Sequence, residues 1–283
     1  MRWCGDRGRY DTAGMTHADF GPAPAAPLPV SDPRDFYDQL AGDYHLMFRD
    51  WWQSAERQGK ILAALLARHG VEPPAHVLDC TCGIGTQALP LAARGFQVVG
   101  SDYSAAALAR AAESARARHL AIRWVEADVR RLGAAVGSTF DAVISFDNSL
   151  PHLLTDADLA AALAAIHDRL PPGGLFAGSI RDYDALVRDR IGGVMPGVVD
   201  ADGESRIYGQ AWQWDESMRT VRIHIFILHR QDGEWRTVVR SSTFRALRRA
   251  ELTAALTGAG FTDVTWTDPT PDGYYQPVFT AHA

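Results

Sequence analysis

Apolar positions in this chain change their spacing repeatedly, and the changes mark where its elements begin and end. Within residues 54–69, Ile61, Leu62, Leu65 and Leu66 recur at helical intervals ahead of Gly70, which predicts an amphipathic helix with a glycine cap. The pattern then tightens to Val77-Leu78, closes on Asp79, passes two glycines, and resumes helical spacing at Leu89, Leu91 and Ala92. That succession predicts strand, tight loop and helix. It is repeated downstream. A strand over residues 97–101 ends in Asp102, and Ser104 caps an alanine-rich helix through Arg116. An alternating strand over 122–127 ends in Asp128, a buried strand covers 140–146, and a helix over 156–170 turns through Pro171-Pro172-Gly173-Gly174 into a strand over 175–180. Strands alternating with helices predict an α/β domain built on a mostly parallel sheet.

The style changes at residues 205–245, where polar and apolar residues alternate between turns near Asp215-Glu216 and Gln231-Asp232-Gly233. This predicts an antiparallel meander covering the substrate side, with Tyr208, Trp212 and Trp214 either shaping a pocket or packing under the cover. A helix over 251–259 and strands over 261–266 and 275–281 complete the chain. Residues 1–32 are rich in Gly, Ala and Pro with little periodicity; they are expected to form a disordered leader, with Met15 as an alternative start, before a domain over 33–283. From Asp35 the aromatic density rises through Tyr37, Tyr44, Phe48, Trp51 and Trp52, as in a helix packing an apolar face.

The loop between the first strand and its helix carries the chemistry. Gly83 and Gly85 remove the Cβ atoms that would hold a ligand at a distance, and the helix start offers N–H donors. A dinucleotide and a nucleoside without phosphates both suit such a loop. Asp79 favours the second, because a carboxylate there repels a pyrophosphate and attracts an ammonium or sulfonium. Ala88 also stands where a dinucleotide motif has its third glycine, and Asp102, about twenty residues on, can accept both ribose hydroxyls. Together these features favour S-adenosylmethionine, with S-adenosylhomocysteine as product. A dehydrogenase reading requires Asp79 to point away.

Asp79-x-x-Cys82-Gly83-x-Gly85-Thr86, the strand ending at Asp102, and Ala127-Asp128 resemble motifs of class I S-adenosylmethionine-dependent methyltransferases. Asn148-Ser149-Leu150-Pro151-His152-Leu153 and Arg181-Asp182-Tyr183-Asp184 resemble the glycine and glycine/sarcosine N-methyltransferase branch. The resemblance covers roughly residues 36 to 283 and implies a doubly wound, Rossmann-like α/β fold with a mostly parallel seven-stranded sheet. It also implies an enzyme that methylates the nitrogen of a small amino or amino-acid-like substrate. The rival readings are methylation of a natural-product intermediate on N, O or C, and a non-catalytic module that binds the cofactor.

By the same resemblance, Asp79, Gly83, Gly85, Asp102, Tyr103, Asp128, Val129 and Asp147 contact the cofactor. Tyr44 closes over it, and Arg57 pairs with its carboxylate, although glycine-methylating members place that arginine slightly earlier, where this chain has Gln53. Asn148, His152 and Arg181 are the catalytic candidates. Tyr37, Arg181, Tyr183 and Tyr208 are the substrate contacts, with Arg181 holding a carboxylate by two parallel hydrogen bonds. For His152 the bland alternative is bracing the next helix, for Arg181 a salt bridge to Asp182 or Asp184, and for Asp128 an ordinary turn.

Composition narrows the alternatives. A chain of 283 residues can bury a full core, and a formal net charge of −6 leaves no cationic excess for gripping nucleic acid. A small-molecule partner is expected, a homo-oligomer stays open, and neither a membrane span nor a signal peptide is evident, which predicts a cytoplasmic protein. Cys4, Cys80 and Cys82 form an odd set that suits reduced thiols. Cys80-x-Cys82 has no second pair, and no metal is expected. Arg245, Arg248 and Arg249 read as a solvated helix face.

Overall fold

The computed structural model describes residues 32–137, 139–201, 204–231 and 233–283. Residues 1–31 of the predicted leader, Cys4 among them, fall outside these residues, as does Asp232 of the second meander turn; Asp32, the last leader position, instead caps α1. Five parallel strands form the centre of the sheet: β1 (His76–Asp79), β2 (Gln97–Asp102), β3 (Arg123–Glu126), β4 (Ala142–Ser145) and β5 (Leu175–Ser179). β10 (Thr262–Thr267) and β11 (Val278–His282) extend it, with β11 antiparallel to both β5 and β10. The order is β10-β11-β5-β4-β1-β2-β3, the doubly wound seven-stranded sheet expected from the resemblance.

Alternation along the strands supplies two cores from one sheet. Leu78, Val143 and Phe176 lie in register and pack on one side with α6 (Asp156–His167) and α8 (Arg249–Gly258), through Leu159, Leu163, Leu252 and Leu256. Val77, Ala142 and Leu175 pack on the other with α2 (Trp51–Arg68), α3 (Ala88–Ala92) and α4 (Ala105–Ala117), through Leu62, Leu66, Leu91 and Leu108. Residues one apart on a strand point to opposite faces, so strands buried on both sides read as unbroken apolar runs. A short helix, α5 (Gly133–Val136), precedes β4.

The meander is a separate four-stranded antiparallel sheet of β6 (Gly193–Ala201), β7 (Glu204–Trp214), β8 (Thr220–Gln231) and β9 (Glu234–Arg245). Its inner residues Val221, Ile223, Ile225, Ile227 and Phe244 bury Phe36 and Leu40 of α1 (Pro33–Leu40) and Tyr183 of α7 (Tyr183–Arg188). Sequence reasoning found three of the four strands. β6 escaped it because Pro196 and Gly197 interrupt the run; they sit at a register shift on an edge strand, where a missing N–H is tolerated. α7 escaped it because it is only six residues long and rests on the cap from Asp182, which accepts the Ala185 N–H at 3.0 Å.

The basic cluster differs from a solvated face. Arg245 is largely buried and paired with Asp156 at 2.7 Å, while Arg249 meets Asp268 at 2.7 Å and Asp182 at 3.2 Å. These arginines tie the end of the cover and α8 to the main domain. Among the described residues, no helix is long and apolar enough to cross a membrane.

Candidate active site

The chain order reverses between β1 and β4, and a crevice opens at the carboxyl ends of the strands there, where open α/β sheets bind ligands. The cleft encloses about 1140 Å³ of atom-free space continuous with solvent. Its walls come from the loop after β1 (Cys80 to Gln87), the ends of β2 and β3 (Asp102, Tyr103, Asp128 to Arg130), and the turn after β4 (Phe146 to Leu153). Tyr37 of α1 and Tyr44 close over it.

Each loop is held by its own backbone chemistry. Asp102 accepts the Gly83 N–H at 2.8 Å and the Ser104 N–H at 2.9 Å, which fixes the glycine turn against the start of α4. Ser104 caps α4 by accepting the Ala107 N–H and donates to Asp38 of α1 at 2.5 Å. Gly83 has φ +52°, and a Cβ built on it would meet nothing within 4 Å, so the turn leaves space on the cleft side that any other residue would occupy. Tyr103 donates its hydroxyl to Asp32, with the Arg34 guanidinium 4.7 Å over its ring.

The cleft is rich in negative charge. Asp102, Asp128, Asp147 and Asp158 line it against a single guanidinium, Arg130, which is already bound to Asp128 and Asp158 at 2.7 Å each. Beneath the loop, Asp79 is 1% exposed and its Oδ2 has no hydrogen-bond partner. Burial pushes the Asp79 carboxyl well up from its ordinary range, and the charges of Asp102 and Asp147 push it further; burial also raises Asp102. These are the properties of a site short of a cation. A pyrophosphate would add repulsion, whereas a ligand bearing ammonium and sulfonium charges supplies what the carboxylates lack. The residues therefore fit S-adenosylmethionine and not a nicotinamide dinucleotide.

Beyond the carboxylates lies an aromatic region. The Tyr37 hydroxyl is 3.0 Å from His152 Nε2, Ser242 Oγ of β9 is 3.4 Å from Nδ1, and Phe244 packs 4.0 Å from the imidazole, centroid to centroid. Burial, reinforced by the charge of Arg181, pushes the His152 pKa down to about 3, so the ring is neutral in water near neutrality. Arg181 stacks its guanidinium 4.8 Å from the Trp212 ring centroid, and its Nε is buried without a hydrogen-bond partner among the described residues. The alternative of a salt bridge to Asp182 or Asp184 is not realised: Arg249 takes Asp182 through its side chain and Asp184 through its N–H.

Tyr37, Tyr44, Gly83, Asp102, Tyr103, Asp128, Val129, Asp147 and His152 line the cleft. Other expectations are corrected. Arg57 is exposed on the outer side of α2, away from the cleft, and Gln58 beside it is the buried residue that faces the loop, 2.9 Å from Gln87. Asn148 is 3% exposed and spends its amide on structure: its Nδ2 donates to the Tyr183 hydroxyl and its Oδ1 accepts the Arg181 N–H, both at 3.0 Å. It braces the arginine rather than facing a reacting atom, and Tyr183, 1% exposed, is its buried partner. Gly85 stands behind the loop, where a Cβ would press Leu89, Asp79 lies beneath the loop without lining the cleft, and Tyr208 packs inside the cover, its ring against Gly197.

Asp128 lines the cleft, but Arg130 engages its carboxylate through Nε at 3.0 Å to both oxygens and through the main-chain N–H at 2.9 Å. Burial raises this carboxyl, and the hydrogen bonds from Arg130 outweigh burial and hold it below the usual range. Sequence reasoning passed over Arg130, Gln87, Tyr274 and Tyr275. The signals available were an arginine two residues after a strand-end aspartate and adjacent tyrosines just before the last strand.

Comparison with known proteins agrees with the geometry. Residues 77–174 match a family described as a methyltransferase domain. A glycine/sarcosine N-methyltransferase of Parasynechococcus marenigrum is 38% identical over 158 residues, covering 56% of this chain and 52% of that protein. The chain thus spans about half the length of the glycine/sarcosine relatives it matches. A demethylmenaquinone methyltransferase of Thermus thermophilus is 30% identical over 172 residues, covering 57% of this chain and 77% of that protein. The S-adenosylmethionine-bound structure of an amino pentose methyltransferase from Micromonospora echinaspora superposes with a TM-score of 0.69 at 22% identity, covering 91% of this chain and 99% of that one. From its seven-stranded sheet, its acidic cleft and these matches, the chain belongs to the class I S-adenosylmethionine-dependent methyltransferases.

Proposed function

We propose that the protein methylates the nitrogen of a small amino-acid-like acceptor of the glycine or sarcosine kind. The observation that carries this reading is Arg181, a partly buried guanidinium stacked on Trp212, with no ion pair to the described residues, beside a neutral histidine. A buried cation without a partner is costly, and a planar fork of donors matches a carboxylate in two parallel hydrogen bonds. The half-length similarity to glycine/sarcosine N-methyltransferases supports the same acceptor class.

S-adenosylmethionine, when bound, supplies a methyl group on a sulfonium that needs no further activation. The protein's task is alignment, which can contribute roughly 7–11 kcal/mol. Asp102 would hold the ribose hydroxyls, Asp128 and Val129 would meet the adenine, and Asp147 would face the charged methionyl end, with Asp79 buried beneath the loop behind it. Arg181 would orient the acceptor's carboxylate. The acceptor nitrogen has to lose a proton before it can attack, and the aromatic surroundings of Tyr37, Tyr44 and His152 disfavour the ammonium form by desolvation. The acceptor then gives its proton to solvent on entering, and Tyr37 and the neutral His152, 3.0 Å apart, face it as an uncharged wall.

The reading is tested by incubating the full chain with methyl-labelled S-adenosylmethionine and a panel of small amino acids, amines and amino sugars. Label should pass to glycine or sarcosine faster than to amines lacking a carboxylate; preference for uncharged amines would overturn the acceptor assignment.

The His152 environment also predicts a pH profile. Because its pKa is lowered to about 3, the ring stays neutral between about pH 5 and 8, the range in which an unperturbed histidine changes charge. The acid limb of kcat/KM should then follow the acceptor's amine and shift when an acceptor of different amine pKa is used. A limb fixed near the ordinary histidine value for every acceptor would mean that His152 titrates there.

A further inference from the structure

The turn after β4 is gripped by a segment from the far end of the chain. Asp147 and Asn148 both adopt left-handed backbone, with φ 57° and 69°, a conformation that costs a non-glycine residue and persists only where its surroundings enforce it. Asn148 is held by Tyr183, the Arg181 N–H and the Ser179 carbonyl, and Asp147 by Tyr274, Tyr275 and Gln276, just ahead of β11. Gln276 Oε1 accepts from Ser179 Oγ at 2.9 Å, and Ser179 Oγ in turn accepts the Asp147 N–H at 3.0 Å. The Tyr275 hydroxyl donates to Asp147 Oδ1 at 2.6 Å, although half of that residue's surface is exposed. Tyr274 is 5% exposed, and its one proton has two acceptors in reach, Asp147 Oδ1 and Gln58 Oε1; the shorter contact is to Asp147. Gln87 Nε2 donates to the other carboxylate oxygen at 2.8 Å. The carboxylate is thus set from both sides, at the point where Asp147 and Gln87 line the cleft.

We propose that Tyr274, Tyr275 and Gln276 form a C-terminal clamp that positions the Asp147 carboxylate toward the charged methionyl end of the cofactor. They are positioning residues, acting on the ligand through Asp147. The inference rests on the cofactor reading of the cleft and goes beyond it, assigning a role to the chain's last loop. Without the clamp, the carboxylate loses its hydroxyl donors and is held through Gln87 alone.

The test is calorimetric titration of the full chain with S-adenosylhomocysteine, for wild type, Tyr274→Phe/Tyr275→Phe, Asp147→Ala, and the triple variant, with thermal melts of each. The two phenylalanines keep the rings and remove only the hydroxyls. Their affinity should fall by about tenfold, the size expected from removing hydrogen bonds to a charged group. In the Asp147→Ala background the same two substitutions should change affinity less than twofold, because the hydroxyls then have no acceptor at that position to hold. Equal losses in both backgrounds would show that the tyrosines act independently of Asp147, and an unchanged affinity would show that they do not act at all. Either result overturns the clamp alone. If wild type does not bind S-adenosylhomocysteine, the cofactor reading fails and the clamp with it.

Discussion

Replacing Asp102 with alanine should weaken S-adenosylhomocysteine binding by about 100-fold, equivalent to roughly 2.8 kcal/mol. The carboxylate accepts two main-chain N–H groups, from Gly83 and Ser104, and so carries both the glycine turn and the start of α4. Hydrogen bonds to charged groups contribute roughly 1.5–3 kcal/mol each, so losing the acceptor both disorganises the turn and removes the ribose contact. Asparagine should not restore the affinity. Both oxygens face N–H donors, so either orientation of the amide sets an NH₂ against an N–H. Calorimetry on Asp102→Ala and Asp102→Asn, with melts to show that both are folded, tests this; affinities within twofold of wild type would remove Asp102 from the cofactor site.

Replacing Arg181 with lysine should raise the acceptor KM by roughly 10- to 100-fold, the cost of one or more charge-assisted hydrogen bonds, while leaving the S-adenosylhomocysteine Kd within about twofold. Lysine keeps the charge but loses the flat fork, and with it both the paired hydrogen bonds to a carboxylate and the stacking on Trp212. The split between the two constants is the informative quantity. Arg181 does not line the cofactor cleft, and its N–H is held by Asn148, so its loss should be felt on the acceptor side. Equal changes in both constants, or none, would take Arg181 out of acceptor binding.

How far the site was legible from the sequence follows the range of the forces involved. The glycine turn, Asp102 and Asp128 could be placed at the cleft because each depends on a local pattern: a strand end, a turn, a helix cap. The two-faced core was also legible, since unbroken apolar runs such as residues 142–144 identify strands covered on both sides. Arg57 was misplaced because helical spacing says which residues share a stripe but not which turn meets the loop, and the buried contact falls on Gln58. The position of Asn148 in the motif is the same whether its amide faces a substrate or Tyr183, so the motif alone does not separate the two roles. The clamp on Asp147 joins residues 127 and 128 positions apart, and nothing local in Tyr274-Tyr275 announces the partner. The fate of Arg181 depended on Arg249, 68 positions away, which takes Asp182 and Asp184 and leaves the first arginine unmatched.

All of these assignments depend on the cleft preferring a cationic nucleoside to a phosphate-bearing one. The most direct test is a pair of calorimetric titrations of the full chain, one with S-adenosylmethionine and one with NADH. The acidic lining predicts saturable one-to-one binding of S-adenosylmethionine and no heat of binding from NADH. Binding of NADH with no response to S-adenosylmethionine would contradict the account.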